Sequence, residues 1–64
     1  MRSRLNVVLA EKRVTKTALA RELRVHRQVV YVWSTDKGMA GLTVGKLCRV
    51  AQALGCDPRE LFEP

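Results

Sequence analysis

The chain has 64 residues, enough for one domain spanning 1–64 and too few to wall a large catalytic cleft. A domain of this size buries only about 60% of the surface its unfolded chain exposes, so its core is thin. The formal net charge is +6 and lies wholly in the first part: nine Lys and Arg against three acids up to Lys37, then three of each.

The first helix is expected to start at Ser3 as N-cap, to place Leu5, Val8 and Leu9 on one face, and to end near Lys12 and Arg13, cations suited to a helix C-terminus. Thr15 then caps a second helix, Lys16 to Leu23, whose Leu19, Ala20 and Leu23 recur at helical spacing. The run Val29-Val30-Tyr31-Val32-Trp33 is β-branched and aromatic, which by local propensity is strand. Two features favour helix instead. Val30 and Trp33 stand three apart, opposite Arg27, Gln28, Tyr31 and Val32, and a lone strand has no evident partner.

Thr35 to Leu42 contains Gly38 and Gly41 and reads as a loop. Thr43 caps a fourth helix with Val44, Leu47, Cys48, Ala51 and Leu54 as its buried stripe, and Gly55 stops it. Asp57-Pro58-Arg59-Glu60 carries the signals of a capping box with Pro at the first helical position, opening a last helix of one or two turns. Its Leu61 and Phe62 either pack inward or form an apolar patch that a second copy covers, and a homodimer on the bound ligand is the expectation.

A positive half beside a neutral half indicates a surface that faces a polyanion, against the plainer reading of a basic surface kept for solubility. The second and third helices, joined by a short turn, supply what a helix-turn-helix needs. Leu19, Leu23, Val25, Val30 and Trp33 sit where the helices touch, and Ala20 is the small residue at their crossing. The order Leu19-Ala20-x-x-Leu23-x-Val25, then Val30 and Trp33, resembles the Cro/C1-type (xenobiotic-response-element-like) helix-turn-helix family. The segments Leu42 to Gly55 and Asp57 to Phe62 resemble that family's last two helices.

The resemblance implies an all-α, five-helix lambda-repressor-like domain, often dimeric, whose third helix reads bases. Carried onto this chain, it puts His26, Arg27, Gln28, Tyr31, Val32 and Thr35 against double-stranded DNA. The side chains agree. Arg forks to guanine, Gln forks to adenine, and Val29 or Val32 can touch a thymine methyl group. Base reading is therefore expected from Arg27, Gln28, Val29, Tyr31 and Val32, and phosphate contacts from Lys16, Thr17, His26, Thr35 and Lys37. The chain departs from the family at several points. It has Lys16 where Gln is frequent, Arg24 where Gly is usual, His26 where Ser or Thr caps, Ser34 where Glu is frequent, and a longer following loop.

Other chemistry finds no support in the sequence. Cys48, Cys56 and His26 lack zinc spacing and a fourth ligand, and Cys48 on the apolar stripe reads as a small core residue. No nucleophilic triad, paired carboxylates or phosphate loop is present. No enzyme activity, catalytic residue, metal, cofactor or small-molecule ligand is expected. The apolar stretch Leu5 to Ala10 is too short for a signal core, and no run reaches membrane-span length. The expected location is cytoplasmic, on the nucleoid, with no membrane partner and free thiols. The function these readings favour is a sequence-specific regulator, a repressor that occupies an operator. The alternative is a protein-interaction module, such as an antitoxin or accessory subunit, on the same fold.

Overall fold

The computed structural model describes residues 1–64, which run through β1 (Arg2–Ser3), α1 (Leu5–Lys12), α2 (Lys16–Leu23), α3 (Arg27–Trp33), α4 (Asp36–Ala40), α5 (Val44–Leu54), a 3₁₀ turn (Pro58–Leu61) and β2 (Phe62–Glu63). Thirteen buried side chains, all apolar, form one core to which each α-helix and the 3₁₀ turn contribute.

Most helix ends are set by local chemistry. Thr15 Oγ1 accepts from the Ala18 N–H at 3.0 Å, and Thr43 Oγ1 accepts from the Lys46 N–H at 3.3 Å, as the N-cap rule requires. Arg13 (φ 56°), Arg24 (φ 58°) and Gly55 (φ 69°) end α1, α2 and α5 in the left-handed conformation. Each turns its N–H back onto the preceding helix, satisfying carbonyls that would otherwise be orphaned. Glycine adopts that conformation without strain; the two arginines meet a steric cost of about 1–2 kcal/mol each.

The start of α1 differs from the expected one. Its N-cap is Arg4, which makes no side-chain cap bond. Ser3 lies one residue earlier, in an antiparallel two-residue ribbon that pairs Arg2 with Glu63 and Ser3 with Phe62. The ribbon continues as Arg4 N–H donating to the Leu61 carbonyl at 2.9 Å. The Ser3 hydroxyl donates to the Trp33 carbonyl at 2.8 Å and still accepts from the Leu5 N–H at 3.4 Å, so it meets one amide of the first turn of α1 from outside the N-cap position.

The segment expected as a loop, Thr35 to Leu42, contains the short helix α4. Thr35 Oγ1 accepts from the Gly38 N–H at 2.9 Å and caps it, and Met39 plugs it into the core. Asp36 Oδ1 accepts from the Ser3 N–H at 2.8 Å, tying α4 to β1. Gly38 is there for closeness rather than flexibility. A Cβ at this position would overlap the Val32 carbonyl, 2.5 Å from its carbon and 2.8 Å from Val32 Cγ1. α4 thus packs its backbone directly on the end of α3.

The buried stripe of α5 is also displaced. Val50, Ala51 and Leu54 are buried and Leu47 is half-buried, whereas Cys48 is exposed and Val44 is 77% exposed. The first turn of α5 projects past its neighbours, and a Cβ on Gly45 would meet nothing within 4 Å. Cys48 is therefore a surface thiol and not a core residue.

After α5 the capping box forms as expected. Asp57 Oδ1 accepts from the Arg59 N–H at 2.8 Å, and Glu60 Oε2 accepts from the Asp57 N–H at 2.7 Å. The element it opens is a single 3₁₀ turn, because the chain leaves it at once to enter β2. Leu61 is fully buried and Phe62 half-buried, so the apolar patch that motivates a homodimer is absent from this end.

Candidate nucleic-acid interface

α2 and α3 are joined by the turn Arg24-Val25-His26. Leu19, Ala20 and Leu23 of α2 are buried with Val30 and Trp33 of α3, and Val25 packs partly into the same core. With 3.6 residues per turn, burying Val30 and Trp33 forces Arg27, Gln28, Tyr31 and Val32 to the outside, where all four are exposed. Tyr31 and Val32 are 54% and 56% exposed, large apolar surfaces for a helix whose other side is dry. The run that propensity reads as strand is helical because the core needs one residue in three of it.

His26 caps α3. Its Nδ1 accepts from the Gln28 N–H at 3.2 Å, so the ring proton of a neutral imidazole resides on Nε2. The cap and an outward donor thus come from one ring. Thr35 is placed differently. Its hydroxyl donates to the Val32 carbonyl at 2.6 Å while capping α4, so its single proton is committed inside the protein. Val29 lies on the flank of α3 that faces α5 rather than among the outermost residues, 37% exposed. It lines a groove of about 230 Å³ whose other apolar walls are Leu23, Val25, Trp33 and Val50.

At the start of α2 the Ala18 and Leu19 N–H groups bond to Thr15, leaving the first-turn amides of Lys16 and Thr17 open, as at a helix start generally. Thr17 is exposed and Lys16 is half-buried. The Lys16 ammonium lies 4.9 Å from the centroid of the Tyr31 ring, bridging α2 and α3. Lys37 is exposed on α4, beside the end of α3.

The charge around this face is unneutralised. The ion pairs of the molecule are Arg4 with Glu11 at 3.9 Å and with Glu63 at 3.6 Å, and Arg59 with Asp57 at 3.3 Å. Lys16, Arg21, Arg24, Arg27 and Lys37 have no carboxylate within ion-pair reach. Lys46 and Arg49 of α5, also unpaired, edge the groove beside Val29. Dividing the charge by sequence position hides these two, since the acids that balance them stand at Asp57, Glu60 and Glu63. Their spacing of three on one helix was the signal available.

Both cysteines are free thiols, Cys48 exposed and Cys56 half-buried. Burial, then the Glu60 carboxylate, pushes the Cys56 thiol above its ordinary range. No three His, Cys, Asp or Glu side chains lie close enough together to hold a metal ion. No helix is long and apolar enough to cross a membrane.

A capped helix braced across a second one, with Arg27, Gln28, Tyr31 and Val32 on its outer side and unpaired cations around it, defines a helix-turn-helix domain. The family model for the Cro/C1-type HTH DNA-binding domain matches residues 4–64. The chain belongs to that family, as the sequence resemblance implies. Among solved structures it is similar to a crystal structure of a Bacteroides fragilis protein provisionally described as DNA-binding. The identity is 33%, the TM-score 0.81, and 94% of each chain is covered. A search of curated proteins finds no match.

Proposed function

We propose that this DNA-binding domain is a sequence-specific regulator that occupies an operator, as a repressor, with α3 in the major groove. The observation that carries the reading is the outer face of α3: Arg27, Gln28, Tyr31 and Val32 exposed together, directly opposite buried Val30 and Trp33. Arg27 and Gln28 lie in its first turn, where side chains reach base edges. Tyr31 and Val32 supply apolar contact one turn further on.

Lys16, Thr17, the His26 Nε2–H and Lys37 serve the phosphates, and Lys46 and Arg49 extend that set onto α5. Thr35 acts through α4, holding the loop after α3 in place, and Val29 supports the groove flank. Occupying an operator blocks other proteins from the same duplex, which is how a domain of this kind represses without catalysis.

Selection of bound duplexes from a random pool, followed by salt titration on the selected site, tests the proposal. Neutralising about five phosphates gives a log–log salt slope of about −4.5. A pool that yields no consensus, or an affinity indifferent to salt, refutes it. Binding without sequence preference would turn the reading toward an interaction module.

A further inference from the structure

We propose that Lys16 is a positioning residue for base readout, holding the Tyr31 ring on the face of α3, and not only a phosphate contact. The inference rests on the DNA-reading role of α3 given above. Three observations support it.

The Lys16 ammonium sits over the Tyr31 ring at 4.9 Å, inside the distance at which a cation is attracted to an aromatic face. It has no carboxylate partner to compete for it, and its side chain is half-buried although it stands at the surface end of α2. Lys16 is also the first residue of its helix, where the macrodipole disfavours a cation, so its place is not explained by the stability of α2.

What the contact does follows from where Tyr31 is. The ring is 54% exposed on a narrow helix and has few neighbours to fix its rotamer. An ammonium covering one face leaves the other face and the hydroxyl for the duplex, and restricts the ring before binding. Lys16 keeps its charge and still attracts the backbone. One residue thereby couples the phosphate register of α2 to the base contacts of α3.

The test uses the full chain. In the free protein, the Lys16 ε-methylene protons are expected upfield in the NMR spectrum, shifted by the ring. The shift is kept in Tyr31→Phe and lost in Tyr31→Leu. On DNA, the readout is the ratio of affinities for the selected and a scrambled duplex. Lys16→Ala is expected to lower that ratio about two- to fivefold. Lys16→Arg should restore it, because a guanidinium also stacks on rings. In the Tyr31→Leu background, Lys16→Ala should leave the ratio unchanged.

A residue that contacts phosphate alone would weaken both duplexes equally and leave the ratio intact. That outcome, an equal drop in the Tyr31→Leu background, or an absent upfield shift overturns the proposal. A wild-type protein with no preferred duplex overturns both this proposal and the reading beneath it. A wild-type preference that survives Lys16→Ala overturns this one alone.

Discussion

Replacing Gly38 by Ala adds one methyl group where the structure has no room for it. The new Cβ would overlap the Val32 carbonyl oxygen, 2.5 Å from the carbonyl carbon and 2.8 Å from Val32 Cγ1. The carbonyl cannot swing aside. It accepts from the Thr35 N–H at 3.0 Å and from the Thr35 hydroxyl at 2.6 Å, bonds that start α4. Relief requires α4 to move off α3, against the Asp36–Ser3 bond and the buried Met39. Overpacking of this kind costs about 1–3 kcal/mol. Alanine's better helix propensity returns at most about 1 kcal/mol. Because the obstacle is backbone, the clash dominates, and the net loss is about 1–2 kcal/mol. In a domain this small that lowers Tm by roughly 4–16 °C. Thermal melting followed by circular dichroism measures it. Gly45→Ala is the control, since its Cβ meets nothing within 4 Å, and it should gain about 0.5–1 kcal/mol. If Gly38→Ala melts at or above the wild type, the close seating of α4 on α3 is wrong.

Arg24→Gly should stabilise the domain by about 1 kcal/mol by relieving the left-handed strain at the end of α2; an unchanged or lower melting temperature would contradict this. Arg27→Ala should cost about 1–3 kcal/mol on the selected duplex and relax one base position, with Tm unchanged, as a binding titration paired with a melt would show. Hydrogen bonds from Arg59 hold the Asp57 carboxyl below its ordinary 3.8. The stability of that cap is therefore complete above the unfolded value and lost as pH falls through the lowered native one. Tm should decline below about pH 4, and Asp57→Asn should flatten this limb; an identical limb in the variant speaks against the cap. A disulfide reagent should modify the exposed Cys48 quickly and the partly buried Cys56 slowly, and equal rates would contradict the placement of Cys48.

What the sequence made legible is what is decided within about four residues. Thr15, His26, Thr43 and Asp57 each bond to a backbone N–H two or three positions on, and Glu60 to one three positions back, so their spacing alone announces them. The helical state of Val29 to Trp33 was legible through the pair Val30 and Trp33. α4 was not, because Gly38 and Gly41 look like breakers until Val32 is seen lying against one of them. Nor was the facing of α5. Its apolar residues allow two adjacent stripes, one through Val44 and Cys48 and one through Val50 and Leu54, and only the surrounding helices choose. In the candidate interface, Arg27, Gln28, Tyr31 and Val32 emerge as a face from helix periodicity. The Lys16–Tyr31 contact joins residues on different helices, and no local pattern encodes it.

The ribbon joining the two ends of the chain bears on the order in which the molecule is made. The N-cap of α1, Arg4, makes no side-chain cap bond, Ser3 reaches the Leu5 N–H only at 3.4 Å, and the Arg4 amide bonds to Leu61. During synthesis Arg4 emerges before all five α-helices and Leu61 after them. The amide that precedes α1 therefore waits for its partner until all five α-helices have been made, and the pairing closes a loop that contains them all. The ribbon is thus a seam that closes after the helices are made. That seam, with a few backbone bonds and the partly exposed Arg4–Glu63 pair, is also where native-state hydrogen exchange should first find the domain open.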